Sequence, residues 1–270
     1  MVGKEAESWL PVSVLEKGFN ENKLPATNEL ADRKFQLFFA DGRVVNYAFQ
    51  DSNHLTETVK GAGVRRENYE AIHVAPGIYF VDFVRKGQPR RSVTMCLNLN
   101  TGQALVIETT IPTRREANRS FLSRMSQGLD LSPIKVVILQ AGINKPQAKT
   151  VAIERTEDLV GKRVQYVYSL QHTYEHIYLN HRFYAWQCLK GPEQGTADAD
   201  ICDYFKIAPD IYLFLWREKV VPTVGVVIIN FRDMRSNGKI FGLDIPSGKP
   251  VNFTMGAYVQ PVSETDIPHH

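Results

Sequence analysis

Groups able to donate, accept or transfer protons recur at every second position in the C-terminal half of this sequence. Tyr166 and Tyr168 are separated by one residue, and so are Tyr174, His176 and Tyr178. In a β-strand, residues two apart point to the same face, so each run presents its phenols or imidazole on one surface. A buried tyrosine hydroxyl needs a hydrogen-bond partner, and a purely structural core has little use for several of them. The pattern therefore indicates a site.

A carboxyl group ends an aromatic run in residues 212–218, Tyr-Leu-Phe-Leu-Trp-Arg-Glu. Alternation places Phe214, Trp216 and Glu218 on one face of a predicted strand. Two positions for the carboxyl group are open. If Glu218 lies inside the fold, desolvation raises its pKa and makes it a general acid or base near neutral pH. If the strand leaves the fold at Trp216, Glu218 lies in solvent beside Lys219.

The elements that must hold these residues are short strands, because the apolar runs are brief, rich in aromatic and β-branched residues, and bounded by turn residues. In the second half we predict strands near 163–169, 173–180, 182–189, 200–207, 211–218, 223–231, 238–244 and 250–260. The first half offers 33–40, 43–50, 53–59, 69–74, 78–84, 91–98 and 103–109. Residues 113–130 predict a short helix, and the apolar run after Pro133 predicts a closing strand.

The sequence repeats itself. Residues 27–36 align without gaps on residues 156–165, and the segment Ala75–Tyr79 matches Ala208–Tyr212 further on. Because the matches keep their order, the chain is predicted to be a tandem duplication. Its fold class is then all-β, with two antiparallel barrels of about eight strands and a short helical insert between the halves.

The repeat suggests five segments. An N-terminal strap occupies 1–26, the first barrel 27–143, a linker 144–155, the second barrel 156–262, and a tail 263–270. The strap carries apolar residues on a polar background, so we expect it to pack on a barrel.

Comparison of the halves assigns the site to the second barrel. The first half carries mostly hydrocarbon side chains at the positions equivalent to Tyr166, Tyr168, Tyr174, His176, Tyr178 and Glu218, namely Leu37, Phe39, Val45, Tyr47, Phe49 and Arg85. The polar groups are not required by a shared fold, so their presence in one copy predicts that copy to be functional. The first barrel is expected to have a hydrocarbon interior.

Composition and motifs exclude several function classes. Net charge is +3 with 32 basic and 29 acidic residues, which favours no nucleic-acid partner. Cys96, Cys188 and Cys202 have no metal-binding spacing and fit a reducing compartment. No segment has the length and apolarity of a signal peptide or membrane span, so the expected location is cytoplasmic.

Metal and nucleotide sites are also not expected. The sequence His172-Thr-Tyr-Glu-His176 matches a zinc peptidase pattern, but that chemistry needs both histidines on one helix face. On a strand they lie roughly 13 Å apart, too far to share a metal. Glycine-rich phosphate loops are missing as well, so we predict neither a metal nor a cofactor.

Several segments resemble the molybdenum cofactor biosynthesis protein F (MoaF-like) family. They are 76–83, 174–180, 184–191, 197–203 and 215–222. The resemblance covers nearly the whole chain and implies two lipocalin-like barrels. No pterin- or nucleotide-binding motif accompanies it.

The second half also resembles, more faintly, the phenolic acid decarboxylases, which are single lipocalin-like barrels that need no cofactor. The similar segments are Tyr166-Val-Tyr168 and Trp216-Arg-Glu218. The resemblance implies that the two tyrosines hold a polar substrate group and that Glu218 transfers a proton. The position of that family's catalytic arginine corresponds approximately to Ala185 or Trp186 in this sequence.

Together these observations predict a cofactor-free lyase, isomerase or cyclase that acts by proton transfer in the second barrel. The reaction would be dehydration, decarboxylation, a double-bond shift or ring closure on a small hydrophobic, phenol-like or secondary-metabolite molecule. Glu218, Tyr166 and Tyr168 are the candidate catalytic residues. The candidate substrate-binding residues are Tyr174, His176, Tyr178, Trp186, Phe214 and Trp216. The alternatives are a non-catalytic carrier of a small hydrophobic ligand and a structural or interaction module, and the chain is a candidate homodimer.

Overall fold

The computed structural model describes residues 10–59, 61–146 and 153–265. In these residues the chain is almost entirely β-structure and divides into two compact units. One unit comprises Leu24–Thr110 with Val136–Glu154, and the other comprises Ile111–Lys135, the chain from Arg155 and the described residues up to Lys23. The helical insert and the strap therefore group with the second barrel. Half of the expected linker, residues 147–152, lies outside the described residues.

The first unit is built from an antiparallel sheet. Its strands are β1 Lys34–Phe39, β2 Val44–Phe49, β3 His54–Val59, β4 Gly63–Asn68, β5 Glu70–Ala75, β6 Ile78–Val84, β7 Arg91–Asn98, β8 Gln103–Thr110 and β9 Lys135–Ile143. They are ordered β4-β3-β2-β1-β9-β8-β7-β6-β5, so the sheet curls into a nearly closed barrel whose ends are β4 and β5. The predicted closing strand is β9, which pairs with β1.

The second unit is a closed antiparallel barrel of eight strands in sequential order. Its strands are β10 Lys162–Val167, β11 Thr173–Tyr178, β12 Phe183–Lys190, β13 Ala197–Ala208, β14 Ile211–Arg217, β15 Thr223–Asn230, β16 Arg235–Asp244 and β17 Lys249–Glu264. Pairing of β10 with β17 closes the barrel. Inward-facing residues alternate with outward ones along each strand, as a small barrel requires.

Three short helices lie in the described residues of the second unit: α1 Val12–Phe19, α2 Arg114–Ala117 and α3 Phe121–Ser126. Helix α1 belongs to the N-terminal strap and is kinked at Lys17 and Gly18. Gly18 has φ of +94°, and a Cβ there would lie 2.2 Å from the His172 ring, so this position needs glycine. Helices α2 and α3 form the predicted insert.

The predicted duplication is visible in contacts that recur within each unit. Thr27 N donates to Ala71 O at 2.8 Å, and Thr156 N donates to Tyr204 O at 3.2 Å. In each unit a tyrosine also binds the carboxylate two residues after that threonine. The pairs are Tyr79 Oη to Glu29 at 2.7 Å and Tyr212 Oη to Asp158 at 3.0 Å. The two halves therefore share local structure as well as sequence.

The expectation of a hydrocarbon interior in the first barrel is wrong. Glu57, Glu67 and Arg85 are buried there, and Arg85 binds both carboxylate oxygens of Glu57. Tyr47 Oη donates to the same carboxylate at 3.0 Å. Arg85 occupies the position equivalent to Glu218, so the first copy has a buried ion-pair network at that place. Strand β4 was also not predicted from the sequence.

No helix among the described residues is long and apolar enough to cross a membrane.

Candidate functional site

A cavity of ≈ 50 Å³ lies in the second unit, beneath the N-terminal strap. By volume it accepts a group of only a few non-hydrogen atoms without movement of its walls. Its walls are mainly aromatic and aliphatic, with two carboxyl groups. They are formed by Leu10, Val12, Leu15, Phe19, Tyr168, Tyr174, His176, Tyr184, Trp186, Glu193, Trp216, Glu218, Val221, Thr223 and Ile240.

Strand alternation delivers these side chains, and one glycine makes room for the largest. Tyr174 and His176 face inward from β11, and Tyr184 and Trp186 face inward from the neighbouring β12. Trp216 lies against Gly225 of β15, where an added Cβ would be 2.1 Å from the indole. Only glycine lets the indole lie this close to the neighbouring strand.

Glu218 directly follows β14 and is partly buried at the cavity wall. Its backbone N–H donates to Thr223 O at 3.0 Å, which keeps the residue beside β15 after the strand ends. Desolvation, the negative charges of Asp200 and Glu193, and a smaller effect of Asp198 hold its pKa well above its usual range. A hydrogen bond from Trp216 opposes this shift in part. Of the two positions left open by the sequence, the structure shows the inner one.

Asp200 lies behind the cavity wall and is 1% exposed. It accepts hydrogen bonds from Trp186 Nε1 at 3.3 Å and from the backbone N–H of Lys219 at 2.9 Å. Burial and the neighbouring charge of Asp198 raise its pKa to about 6. Asp200 and Glu218 therefore form a pair of electrostatically coupled carboxyl groups with raised proton affinity. Asp200 was missed from the sequence.

Glu193 is the second carboxyl group in the cavity wall, and it comes from the turn between β12 and β13. Tyr174 Oη donates to its carboxylate at 2.8 Å. Desolvation raises the pKa of Glu193, although the hydrogen bond from Tyr174 counteracts it. The turn residues gave no strand pattern, so the sequence offered no signal for this residue.

Two buried polar atoms on the cavity wall have no hydrogen-bond partner among the described residues: His176 Nδ1 and Thr223 Oγ1. The His176 ring lies among aromatic rings, with its centroid 4.6 Å from that of Tyr166 and 5.2 Å from that of Tyr184. Burial lowers the pKa of His176 to about 3, so its imidazole is neutral at physiological pH. Buried polar groups are normally paired, so these two atoms point to a missing partner.

Six of the nine residues predicted as site residues line this cavity: Tyr168, Tyr174, His176, Trp186, Trp216 and Glu218. Tyr166, Tyr178 and Phe214 lie deeper in the barrel core and do not line it. Tyr166 Oη and Tyr178 Oη hydrogen-bond to each other at 2.5 Å, so each already has a partner. A direct role of Tyr166 with substrate is therefore not supported by its position.

The strap closes the cavity with Phe19, which is 4% exposed. Its ring centroid lies 4.3 Å from that of Tyr168 and 5.3 Å from that of Tyr174. Asn22, just after α1, is tied to β10 by its backbone N–H and its side-chain amide, which bind Tyr168 O at 3.1 Å and Val167 O at 3.0 Å. Sequence reasoning expected the strap to pack on a barrel but did not place Phe19 in the site.

The insert holds the segment that carries Glu218. Arg124 of α3 is buried and its guanidinium donates to three backbone carbonyls, those of Arg119, Leu131 and Lys219. Lys219 is the neighbour of Glu218, and its Nζ forms an ion pair with Asp198 at 3.0 Å. The insert therefore fixes the chain where it leaves β14.

No cluster of three metal-ligating side chains occurs in the described part of the chain. His176 is a strand residue, whereas His172 precedes β11 and binds Ser169 through Nδ1 at 2.9 Å. The two histidines of the peptidase-like pattern therefore stand on no common helix.

Comparison with known proteins identifies the family over both halves. The model of the MoaF N-terminal domain matches residues 7–113, and that of the MoaF C-terminal domain matches residues 153–265. The chain belongs to the MoaF family. Protein MoaF of Klebsiella aerogenes is 34% identical over 255 residues, which are 92% of this chain and 93% of that protein.

Two solved structures show a distant likeness to the MoaF-family chain. A Burkholderia vietnamiensis protein, assigned provisionally as a beta-lactamase, has a TM-score of 0.34 and 19% identity, covering 40% of this chain and 100% of its own. A DUF3598-family protein of unknown function from Nostoc punctiforme has a TM-score of 0.32 and 10% identity, covering 91% of this chain and 98% of its own.

Proposed function

We propose that this MoaF-family protein is a cofactor-free lyase, isomerase or cyclase that moves a proton on a small, largely apolar molecule in the second barrel. The observation that carries the proposal is the position of Glu218, a partly buried carboxyl group on the wall of an aromatic cavity. A general acid or base works best when its pKa lies near the working pH, and desolvation together with the neighbouring carboxyl groups shifts the pKa of Glu218 in that direction.

The other cavity residues have separate roles in this proposal. Tyr168 would hold a polar group of the substrate, as the resemblance to the phenolic acid decarboxylases implies for this tyrosine. Tyr166 would not, because its hydroxyl is already hydrogen-bonded to Tyr178. Tyr174, Trp186 and Trp216 supply ring surfaces that position an apolar or phenolic substrate. In addition to desolvation, the charge of Asp200 raises the pKa of Glu218, so Asp200 affects the reaction only through Glu218.

The second candidate is a carrier, favoured by the apolar majority of the cavity wall and by the closure of the cavity by Phe19. A carrier needs no group of unusual proton affinity, so the carboxyl pair favours catalysis. A cytoplasmic location and a homodimeric state stay parts of the proposal.

Solvent deuterium distinguishes the two candidates. The protein is purified from its own source, and co-purifying small molecules are identified by native mass spectrometry. Each is then incubated with the protein in D₂O. If the protein is a catalyst, one of these molecules should take up deuterium at a carbon atom or be converted to a product. The rate should be lowered roughly 10² to 10⁴-fold in Glu218→Gln.

The matched control is Glu157→Gln, which removes the same charge at an exposed position. It should leave the rate unchanged. Retention of a ligand with no exchange and no conversion in wild-type protein would contradict catalysis and support the carrier.

A further inference from the structure

The charge of the cavity is unbalanced. Glu193 and Glu218 line it and Asp200 lies behind it, while none of the described residues that line it is Lys or Arg. The nearby ammonium group of Lys219 is paired with Asp198 at 3.0 Å and lies over the Phe121 ring, with Nζ 5.6 Å from its centroid. Carboxyl groups gathered without a cation repel one another. A bound positive charge would relieve this repulsion.

Aromatic rings form most of the remaining wall. Six contribute: Phe19, Tyr168, Tyr174, Tyr184, Trp186 and Trp216. The face of an aromatic ring carries negative electrostatic potential and attracts cations, most strongly for Trp. Rings combined with carboxyl groups are complementary to an organic ammonium ion, because the rings accept its hydrocarbon part and the carboxyl groups accept its charge.

The unpartnered atoms on the wall match the same ligand. His176 is 5% exposed and Thr223 is 1% exposed, and in the part of the chain that the structure describes His176 Nδ1 and Thr223 Oγ1 have no hydrogen-bond partner. A neutral imidazole nitrogen and a hydroxyl oxygen both accept hydrogen bonds. A ligand with several N–H donors satisfies both, whereas a carboxylate anion brings only acceptors and satisfies neither. The volume of ≈ 50 Å³ suits the ammonium group and its first carbon atoms, and a larger hydrocarbon part requires movement of the wall, to which Leu10, Val12 and Leu15 contribute apolar side chains.

We propose that the cavity recognises a protonated organic amine, with the ammonium group beside Glu218 and its N–H bonds directed to His176 Nδ1 and Thr223 Oγ1. The inference deepens the proposed function and rests on it for the location of the site. It identifies the substrate class as aromatic or aliphatic amines that carry a positive charge. Binding would also favour ionisation of Glu218, so the carboxylate needed as a general base would form when the substrate arrives.

Three probes of similar size and different charge test the inference by isothermal titration: benzylammonium, benzyl alcohol and benzoate. Benzylammonium should bind at least about tenfold more tightly than benzyl alcohol, the factor that corresponds to about 1.4 kcal/mol, and benzoate should bind weakest. Repeating the titration in buffers of different ionisation enthalpy should show proton release for benzylammonium alone. Equal affinity for benzyl alcohol, or tighter binding of benzoate, would overturn the inference.

Variants locate the effect. Glu218→Gln and Thr223→Val should each reduce the preference for benzylammonium over benzyl alcohol, by about tenfold for Glu218→Gln, while Glu157→Gln should keep it. An unchanged preference in both site variants would refute the assignment.

The outcome is separable from that of the proposed function. A clear preference for the ammonium ion without any deuterium exchange would contradict catalysis and leave amine recognition. Deuterium exchange into a neutral substrate, without a preference for the ammonium ion, would support catalysis and contradict amine recognition.

Discussion

Replacing Asp200 by Asn tests the electrostatics of the site without a ligand. The Asp200 carboxyl group is buried, and burial together with the charge of Asp198 raises its pKa from 3.8 to about 6. Between these two pKa values, Asp200 holds a proton in the native protein but has released it in the unfolded chain. The contribution of Asp200 to stability is therefore fully present below about pH 4 and is lost as the pH rises through about 6.

The size of the effect follows from the shift. About two pKa units at about 1.4 kcal/mol each give a loss of about 3 kcal/mol at high pH, of which about 1 kcal/mol is already lost at pH 4.5. Asparagine does not titrate. Relative to wild type, Asp200→Asn should therefore gain about 2 kcal/mol of unfolding free energy between pH 4.5 and pH 8. Any fixed cost from changed hydrogen bonds to Trp186 and Lys219 cancels in this comparison.

Urea unfolding followed by tryptophan fluorescence measures the difference, because Trp186 and Trp216 both lie in the second unit. The groups that face Asp200 are Trp186, Tyr184, Lys219, Asp198 and Glu218. Unfolding is compared at several pH values for wild type, Asp200→Asn and the control described next.

The control is Asp210→Asn, which makes the same substitution at an exposed position in the same unit. A difference between Asp200→Asn and wild type that is constant within about 0.5 kcal/mol across this range, or that grows in the opposite direction, would refute the reasoning.

Three further variants follow from buried polar contacts. Tyr166→Phe removes the 2.5 Å hydrogen bond to Tyr178 and should lower the unfolding free energy by about 1 kcal/mol while leaving ligand affinity unchanged, as titration and urea unfolding will show. Burial raises the pKa of Glu175, but its hydrogen bonds lower the pKa by more, so the net shift is downward. Glu175→Gln should therefore destabilise the protein most near neutral pH and less as the pH falls below about 4, which urea unfolding measures. Arg85→Gln removes the bidentate partner of the buried Glu57 carboxylate and leaves it the more distant ion pair with Arg65 at 3.6 Å, so the first unit should lose about 3 kcal/mol of stability in thermal unfolding.

The sequence predicted the strands well where one face is buried, because alternation is then enforced by the core. The eight strands of the second barrel lie close to their predicted positions, and the repeat predicted the duplication. Strand β4 was missed because it is an exposed end strand of the sheet whose sequence, Gly63-Val-Arg-Arg-Glu-Asn68, shows no apolar period.

The site was predicted in part, for a physical reason. Alternation shows which face a residue occupies but not its depth along the barrel, so Tyr166 was grouped with Tyr168 although only Tyr168 reaches the cavity. Phe19 enters the site through contacts with residues about 150 positions away, for which one sequence holds no signal. Asp200 becomes informative only when its burial and its neighbours are known.

The central claim is that Glu218 is a cavity carboxyl group ready to exchange a proton near neutral pH, and infrared spectroscopy tests it without a substrate. Desolvation holds the pKa of Glu218 well above its usual range, so its proton should persist to a higher pH than the protons of exposed carboxyl groups. In spectra recorded as the pH is raised, the account predicts that the last carbonyl bands of protonated carboxyl groups include one that Glu157→Gln keeps and Glu218→Gln removes. A pH series in which Glu218→Gln leaves these bands unchanged would contradict the account.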